Sequence, residues 1–143
     1  MKYYGICPAS CGEFVQGVMD RAEYLCSYAV DLYSTAEVEE KLNNINLGPL
    51  KSRKAIEAVF KKFNIPVEES KNISLKIRSK IPVGKGMASS TADIGATIGA
   101  TLGLIKKELS SEEIAKLAST IEPTDSIYIE KNSIFNPLNG EVI

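Results

Sequence analysis

The twelve residues Ile81-Pro82-Val83-Gly84-Lys85-Gly86-Met87-Ala88-Ser89-Ser90-Thr91-Ala92 place two glycines directly ahead of paired serines and a run of small side chains. Without Cβ atoms, Gly84 and Gly86 let the backbone turn tightly and approach a ligand closely. Ser89 or Ser90 can cap the helix that begins there, which leaves first-turn N–H groups directed outward. Those donors, at the positive end of a helix dipole, suit a phosphate. The same residues also serve an ordinary strand–turn–helix connection, so the loop by itself does not decide the chemistry.

The rest of the composition removes several alternatives. The chain has no histidine, which eliminates Ser-His-Asp and Cys-His catalysis and leaves carboxylates, lysines and phosphate electrostatics. Cys7, Cys11 and Cys26 are an odd number, with neither a second close pair nor a histidine to complete a zinc site. They read as small, buried apolar residues in a reducing compartment. The loop is not a Walker A motif, because Gly86 follows Lys85 where Ser or Thr is required and Ser79 stands in place of the first glycine. Nor is it G-x-G-x-x-G, since Ser89 occupies the third glycine position. A net charge of −1 gives no electrostatic case for nucleic acid. Met1-Lys2-Tyr3-Tyr4 starts no apolar signal-peptide core, so a cytoplasmic location is expected. The small-residue run Ile94–Ile105 carries Gly95, Gly99 and Gly103 at a membrane-packing spacing, yet it is too short to span a bilayer.

At 143 residues the chain suits one domain with a real core, in which strands and helices must position the loop. Met1–Cys7 reads as a strand broken at Pro8, and Ser10–Gly17 as a turn leading into a short strand around Phe14 and Val15. Glu23–Thr35 is expected to be a further strand pair. Glu37, Glu39 and Glu40, followed by Asn43-Asn44-Ile45-Asn46, suggest an exposed connection bounded by Pro49. Ile56, Val59, Phe60 and Phe63 then stand on one helical face within Lys51–Phe63, with lysines on the other, and Pro66 ends that helix. Ile73, Leu75 and Ile77 alternate with polar residues in a half-buried strand over Asn72–Lys80. That strand feeds the glycine loop and a helix over Ser89–Ile105, whose Ala92, Ala96 and Ala100 stripe suits burial between layers. Ser110-Ser111-Glu112-Glu113 is a capping box, and the helix it opens carries Ile114, Leu117, Ala118 and Ile121 and stops at Pro123. Ser126–Glu130 and Ser133–Phe135 are short strand candidates. Asn139-Gly140 is a hairpin signal whose returning strand is cut off at Ile143, so a fragment, or a chain lacking a downstream domain, is expected.

Pro82, Gly86, Met87, Ala88, Ser89, Ser90 and Ala92, with Thr91 placed just after the serines, resemble the phosphate-binding motif of the GHMP kinase superfamily. That motif is Pro, three residues, Gly, an apolar residue, a small residue, Ser-Ser and a small residue. Two more segments resemble the L-threonine kinase branch of cobalamin synthesis and propanediol utilisation. They are Cys7-Pro8-Ala9-Ser10-Cys11-Gly12-Glu13-Phe14-Val15-Gln16-Gly17 and Glu122-Pro123-Thr124-Asp125-Ser126, and Gly84–Asp93 is similar to that branch as well. The resemblance covers nearly all of the chain but only the N-terminal half of the family's usual length, without its C-terminal domain and third, glycine-rich motif.

It implies an α/β (α+β) fold like domain 2 of ribosomal protein S5, a mixed sheet with helices and a left-handed βαβ unit. Residues 1–143 would be the N-terminal, ATP-binding domain of a small-molecule kinase acting on L-threonine or a similar hydroxy amino acid. Pro82, Gly84, Lys85, Gly86, Met87, Ala88, Ser89, Ser90 and Thr91 would line the ATP phosphates, with Lys85 either on a phosphate or solvated. Ser90 and Glu122 would be Mg2+ ligands. Asp125 would be the catalytic base, although the residues alone fit a turn or cap after Pro123 equally well. Ser10, Glu13 and Gln16 would face the acceptor, or serve as ordinary turn residues. A homoserine kinase-like enzyme is the rival within this class. The non-enzymatic rival is a fragment that binds nucleotide weakly or not at all and dimerises through an exposed edge.

Overall fold

In a computed structural model, residues 1–19, 22–81 and 89–122 are described, with backbone alone over 9–19, 22–31 and at Ser89. Two long strands, β1 (Lys2–Met19) and β2 (Ala22–Glu40), form an antiparallel ribbon, and β3 (Ile73–Ser79) adds to β2 in the order β1-β2-β3. Three helices complete the described chain: α1 (Leu50–Lys62), α2 (Ser89–Ile105) and α3 (Ser111–Ser119). A short 3-10 helix, Val67–Asn72, leads into β3. Among the described residues no helix is long and apolar enough to cross a membrane.

Four expectations for the first forty residues are corrected. Pro8 does not end the first strand; it pairs with Tyr33 at a register shift, where its missing N–H costs the ladder little. The expected turn over Ser10–Gly17 is absent, and further register shifts between Ser10 and Glu13 and between Glu13 and Val15 absorb the extra residues as bulges. Glu23–Thr35 is not a strand pair, because it lies within the single strand β2. Glu37, Glu39 and Glu40 also belong to β2 rather than to a connection. Cross-strand cations explain why acidic residues tolerate that place: Glu37 is in register with Lys76, and its carboxylate lies 3.8 Å from Lys2 Nζ.

The remaining elements follow their sequence patterns. Alternation in β2 buries Ser34, Ala36 and Val38 against the helices. α1 buries Ile56, Val59 and Phe60, as its periodicity requires. It also buries Arg53, which periodicity alone assigns no role. The Arg53 guanidinium donates to the carbonyls of Leu47 (2.8 Å), Ser70 (2.6 Å), Asn46 (3.2 Å) and Ile73 (2.5 Å), tying the preceding connection and the 3-10 helix to α1. The capping box of α3 is present: Ser110 Oγ accepts from Glu113 N, and Glu113 Oε1 accepts from Ser110 N, both at 3.2 Å. The short strands after Pro123 and the Asn139-Gly140 hairpin lie outside the described residues, as does any strand that would close the left-handed βαβ unit.

Helix α2 is the central layer. Its Ala92, Ala96 and Ala100 stripe joins Cys7, Val38, Leu75 and Phe60 in the core facing the sheet. Its Ile94, Ile98 and Leu102 stripe packs with Ala55 and Val59 of α1 and Ala118 of α3. Burying Ile94 and Ile98 completely contributes about 1.5–3 kcal/mol each. The alanines let α2 settle directly on the sheet, and Gly5 of β1 marks the closest approach. A Cβ built on Gly5 would lie 1.9 Å from the Ala96 carbonyl oxygen and 2.6 Å from the Ala100 nitrogen. Those atoms belong to helix backbone and have nowhere to move. By contrast, a Cβ on Gly99 would meet only Gly5 Cα, at an ordinary 3.7 Å. Gly5→Ala is therefore expected to cost at least about 2 kcal/mol in urea denaturation through overpacking. Gly99→Ala should be neutral, or stabilising by up to about 1 kcal/mol through helix propensity. Equal stability of Gly5→Ala and wild type would refute this account of the helix–sheet contact.

Candidate active site

The end of β3 is anchored before the glycine loop begins. Lys80 N donates to the Tyr33 carbonyl at 3.3 Å, and Ile81 N donates to Ser79 Oγ at 3.1 Å, with the Ile81 side chain in the core. Pro82, Gly84, Lys85, Gly86, Met87 and Ala88 lie outside the described residues. Ser89 opens α2 as expected, Ser90 stands exposed in its first turn, and Thr91 is buried. The N-terminus of a helix carries backbone N–H groups without intrahelical partners and the positive end of its dipole.

The first turns of α1 and α2 meet the end of α3. Ser90 Oγ donates to Glu122 Oε1 at 2.7 Å, although the two residues are 32 apart in sequence. Glu122 is held by its own backbone, whose N–H reaches the Ala118 carbonyl at 3.3 Å as α3 unwinds. Its second carboxylate oxygen accepts a charge-assisted bond from Lys51 Nζ in the first turn of α1. The two residues expected to ligate a metal are thus adjacent, and both present hard oxygen donors. Among the described residues no group of three or more Asp, Glu, Cys or His converges as a self-sufficient metal cage. A hydroxyl and one carboxylate fit Mg2+, which retains waters and completes its shell with phosphate oxygens.

One turn further along α2, Asp93 lies half-buried and accepts from the fully buried Ser34 Oγ of β2 at 2.5 Å. Its backbone carbonyl accepts from Thr97 Oγ1 at 2.7 Å. Burial raises the Asp93 carboxyl above the ordinary aspartate value; the Ser34 bond opposes this, and the nearby Glu122 charge adds to it. Burial, aided by the Asp93 charge, also pushes the Cys7 thiol up to about 12, so Cys7 is a neutral core residue rather than a nucleophile. Sequence reasoning assigned none of Ser34, Lys51 or Asp93 a role. For Asp93 a signal existed: it is the sole charge in the small, apolar run Ser89–Ile105. Lys51 has no such signature among 17 basic residues, because only folding brings it to Glu122.

The other nominated residues divide by position. Ser10, Glu13 and Gln16 lie on β1 opposite Ala29, Ser27 and Leu25, within its bulged stretch. Asp125 lies outside the described residues. A groove of about 700 Å³ opens around Ile6 and Tyr33, with Arg78 and Lys80 on its wall. Its lining does not include Ser90, Asp93 or Glu122, so the polar cluster and the groove are separate features of the described chain.

The raised Asp93 value has a thermodynamic consequence. A carboxyl that binds its proton more tightly folded than unfolded contributes stability fully below the ordinary aspartate range. That stability is lost as pH rises through the raised value. Asp93→Asn keeps an acceptor for Ser34 and is expected to flatten this part of the stability–pH profile, read from denaturation midpoints between acid and neutral pH. Asp93→Ala strands the buried Ser34 hydroxyl and should cost about 1–3 kcal/mol.

Residues 51–129 match the family model described as GHMP kinases N terminal domain, spanning α1, β3, α2 and α3. The chain is 44% identical over 134 residues to the L-threonine kinase of Salmonella typhimurium, covering 94% of this chain and 44% of that protein. It is 39% identical over 134 residues to the L-threonine kinase of Citrobacter freundii, covering 94% of this chain and 46% of the relative. A crystal structure of mevalonate kinase superimposes with a TM-score of 0.71 at 27% identity, covering 98% of this chain and 55% of that one. The chain therefore spans less than half the length of these two curated relatives. A domain match over more than half of its residues places the chain in the GHMP kinase family, as an N-terminal domain.

Proposed function

We propose that these 143 residues are the ATP-binding domain of a two-domain kinase that phosphorylates the hydroxyl of L-threonine or a similar small hydroxy amino acid. The observation that carries this reading is the 2.7 Å Ser90–Glu122 contact at the first turn of α2. It assembles a hydroxyl and a carboxylate from distant parts of the chain at the end of a helix that favours phosphate. The identity to two L-threonine kinases supports the choice of acceptor.

In the proposed reaction, first-turn N–H groups of α2 and the Gly84–Ser90 loop hold the ATP phosphates in a fixed field. Ser90 and Glu122 would hold magnesium, which when bound would supply positive charge to neutralise the phosphates. The acceptor hydroxyl attacks the γ-phosphorus in line. An O–P bond forms to the acceptor, the bond to the bridging β–γ oxygen breaks, and ADP departs. Asp125, three residues after Glu122, accepts the hydroxyl proton, and Ser10, Glu13 and Gln16 orient the acceptor. Asp93 lies one turn from Ser90 and braces the helix start against β2 through Ser34.

Calorimetric titration with a non-hydrolysable ATP analogue and Mg2+ tests the nucleotide site. Gly86→Val is expected to weaken binding at least about tenfold by blocking the backbone's approach to phosphate. Unchanged affinity in that variant would remove the loop from the site. The acceptor is tested by ADP release with threonine, homoserine and serine. Threonine should turn over fastest; turnover of homoserine alone would replace it as the substrate.

A further inference from the structure

Lys51 is placed against the preference of its own helix. It stands in the first turn of α1, a turn without acidic residues, where the dipole disfavours an ammonium. Its long side chain is nonetheless committed to Glu122. The Lys51 side chain is 52% exposed and the Glu122 side chain 11%. A carboxylate so far removed from water needs a positive partner, and among the described residues Lys51 supplies it. With Ser90 on one oxygen and Lys51 on the other, Glu122 has a hydroxyl and a cation on its two oxygens. A divalent ion there would take Ser90 Oγ and Glu122 oxygens as its ligands, in competition with the ammonium.

We propose that Lys51 is a tethered counter-ion of the divalent-cation position, neutralising Glu122 when no metal is bound and yielding to the incoming metal. This rests on the reading of Ser90 and Glu122 as metal ligands. An ammonium and a divalent cation repel one another across a single carboxylate, so the free chain binds metal weakly while Lys51 is in place. The half-exposed lysine stem leaves the ammonium free to swing away, and the polyphosphate that arrives with the metal gives it new oxygens to contact. Lys51 thereby favours joint loading of metal and nucleotide over loading of metal alone. It acts through Glu122 as a positioning residue.

Mn2+ serves as the probe, with free ion followed by electron paramagnetic resonance in the 143-residue chain without nucleotide. Lys51→Met, and Lys51→Gln as a second neutral variant, should bind Mn2+ about tenfold more tightly than wild type, the scale of one near-surface charge pair. Their thermal midpoints should fall without metal and recover when Mn2+ is added. Lys51→Arg should retain the weak affinity of wild type, and Glu122→Gln should lose Mn2+ binding. A merely structural Lys51 would lower the midpoint without tightening Mn2+. Affinity equal to or weaker than wild type in both neutral variants overturns the proposal. If an ATP analogue binds while Mn2+ affinity is unmoved by the neutral variants, the counter-ion role fails and the nucleotide site stands. If Mn2+ tightens as expected but no analogue binds, the counter-ion role stands and the nucleotide reading fails.

Discussion

The close seating of α2 on β1 at Gly5 is the constraint on which the site depends. Helix backbone meets strand backbone with no side chain between them, since a Cβ on Gly5 would fall on the Ala96 carbonyl. The alanine stripe of α2 extends that contact along the sheet, while its isoleucines and Leu102 grip α1 and α3. Side-chain interdigitation tolerates small rearrangements, but a backbone-to-backbone contact tolerates very little. The position and axis of α2 are therefore fixed, and with them the place where its dipole and first-turn donors point.

Around that fixed helix start, polar groups are joined in a chain. Ser34 on β2 holds Asp93, Ser90 one turn away holds Glu122, and Glu122 holds Lys51 on α1. Four elements of the fold thus end on one small region. No buried side-chain polar atom among the described residues lacks a partner, which agrees with a network of locked rotamers. Fixed dipoles and charges of this kind are what phosphoryl transfer asks of a protein, because the reaction needs positioned electrostatics more than covalent participation. The high value of the Cys7 thiol beside this network belongs to the same economy of burial: a group removed from water next to a carboxylate stays neutral.

Local patterns were legible where one element decides its own fate. The Ser89–Ile105 helix, the Ser110–Glu113 capping box and the α1 apolar face follow from spacing and appear as read. The first forty residues were misread because strand length is not a local property. Pro8 and the acidic Glu37–Glu40 stretch look like breaks, yet bulges and cross-strand cations carry both strands through them. Arg53 escaped notice for a similar reason: its four carbonyl partners come from three separate segments of chain. In the site, Ser90 and Glu122 were named from motifs, whereas Asp93, Ser34 and Lys51 were not.

The sequence by itself determined the chemistry on offer: a glycine–serine loop at a helix start, no histidine, and motif segments that mark a GHMP kinase domain. These are matters of residue type and short spacing, which chain connectivity fixes directly. Only the tertiary structure decided that Glu122 closes on Ser90, that Lys51 neutralises it, and that Asp93 is drawn from water against Ser34. Such pairings join residues 32 to 71 positions apart, and their strength depends on burial and dielectric surroundings that arise when the layers pack. The helix start that the glycine–serine motif announces thus carries, in the structure, a hydroxyl–carboxylate pair held by the Lys51 ammonium.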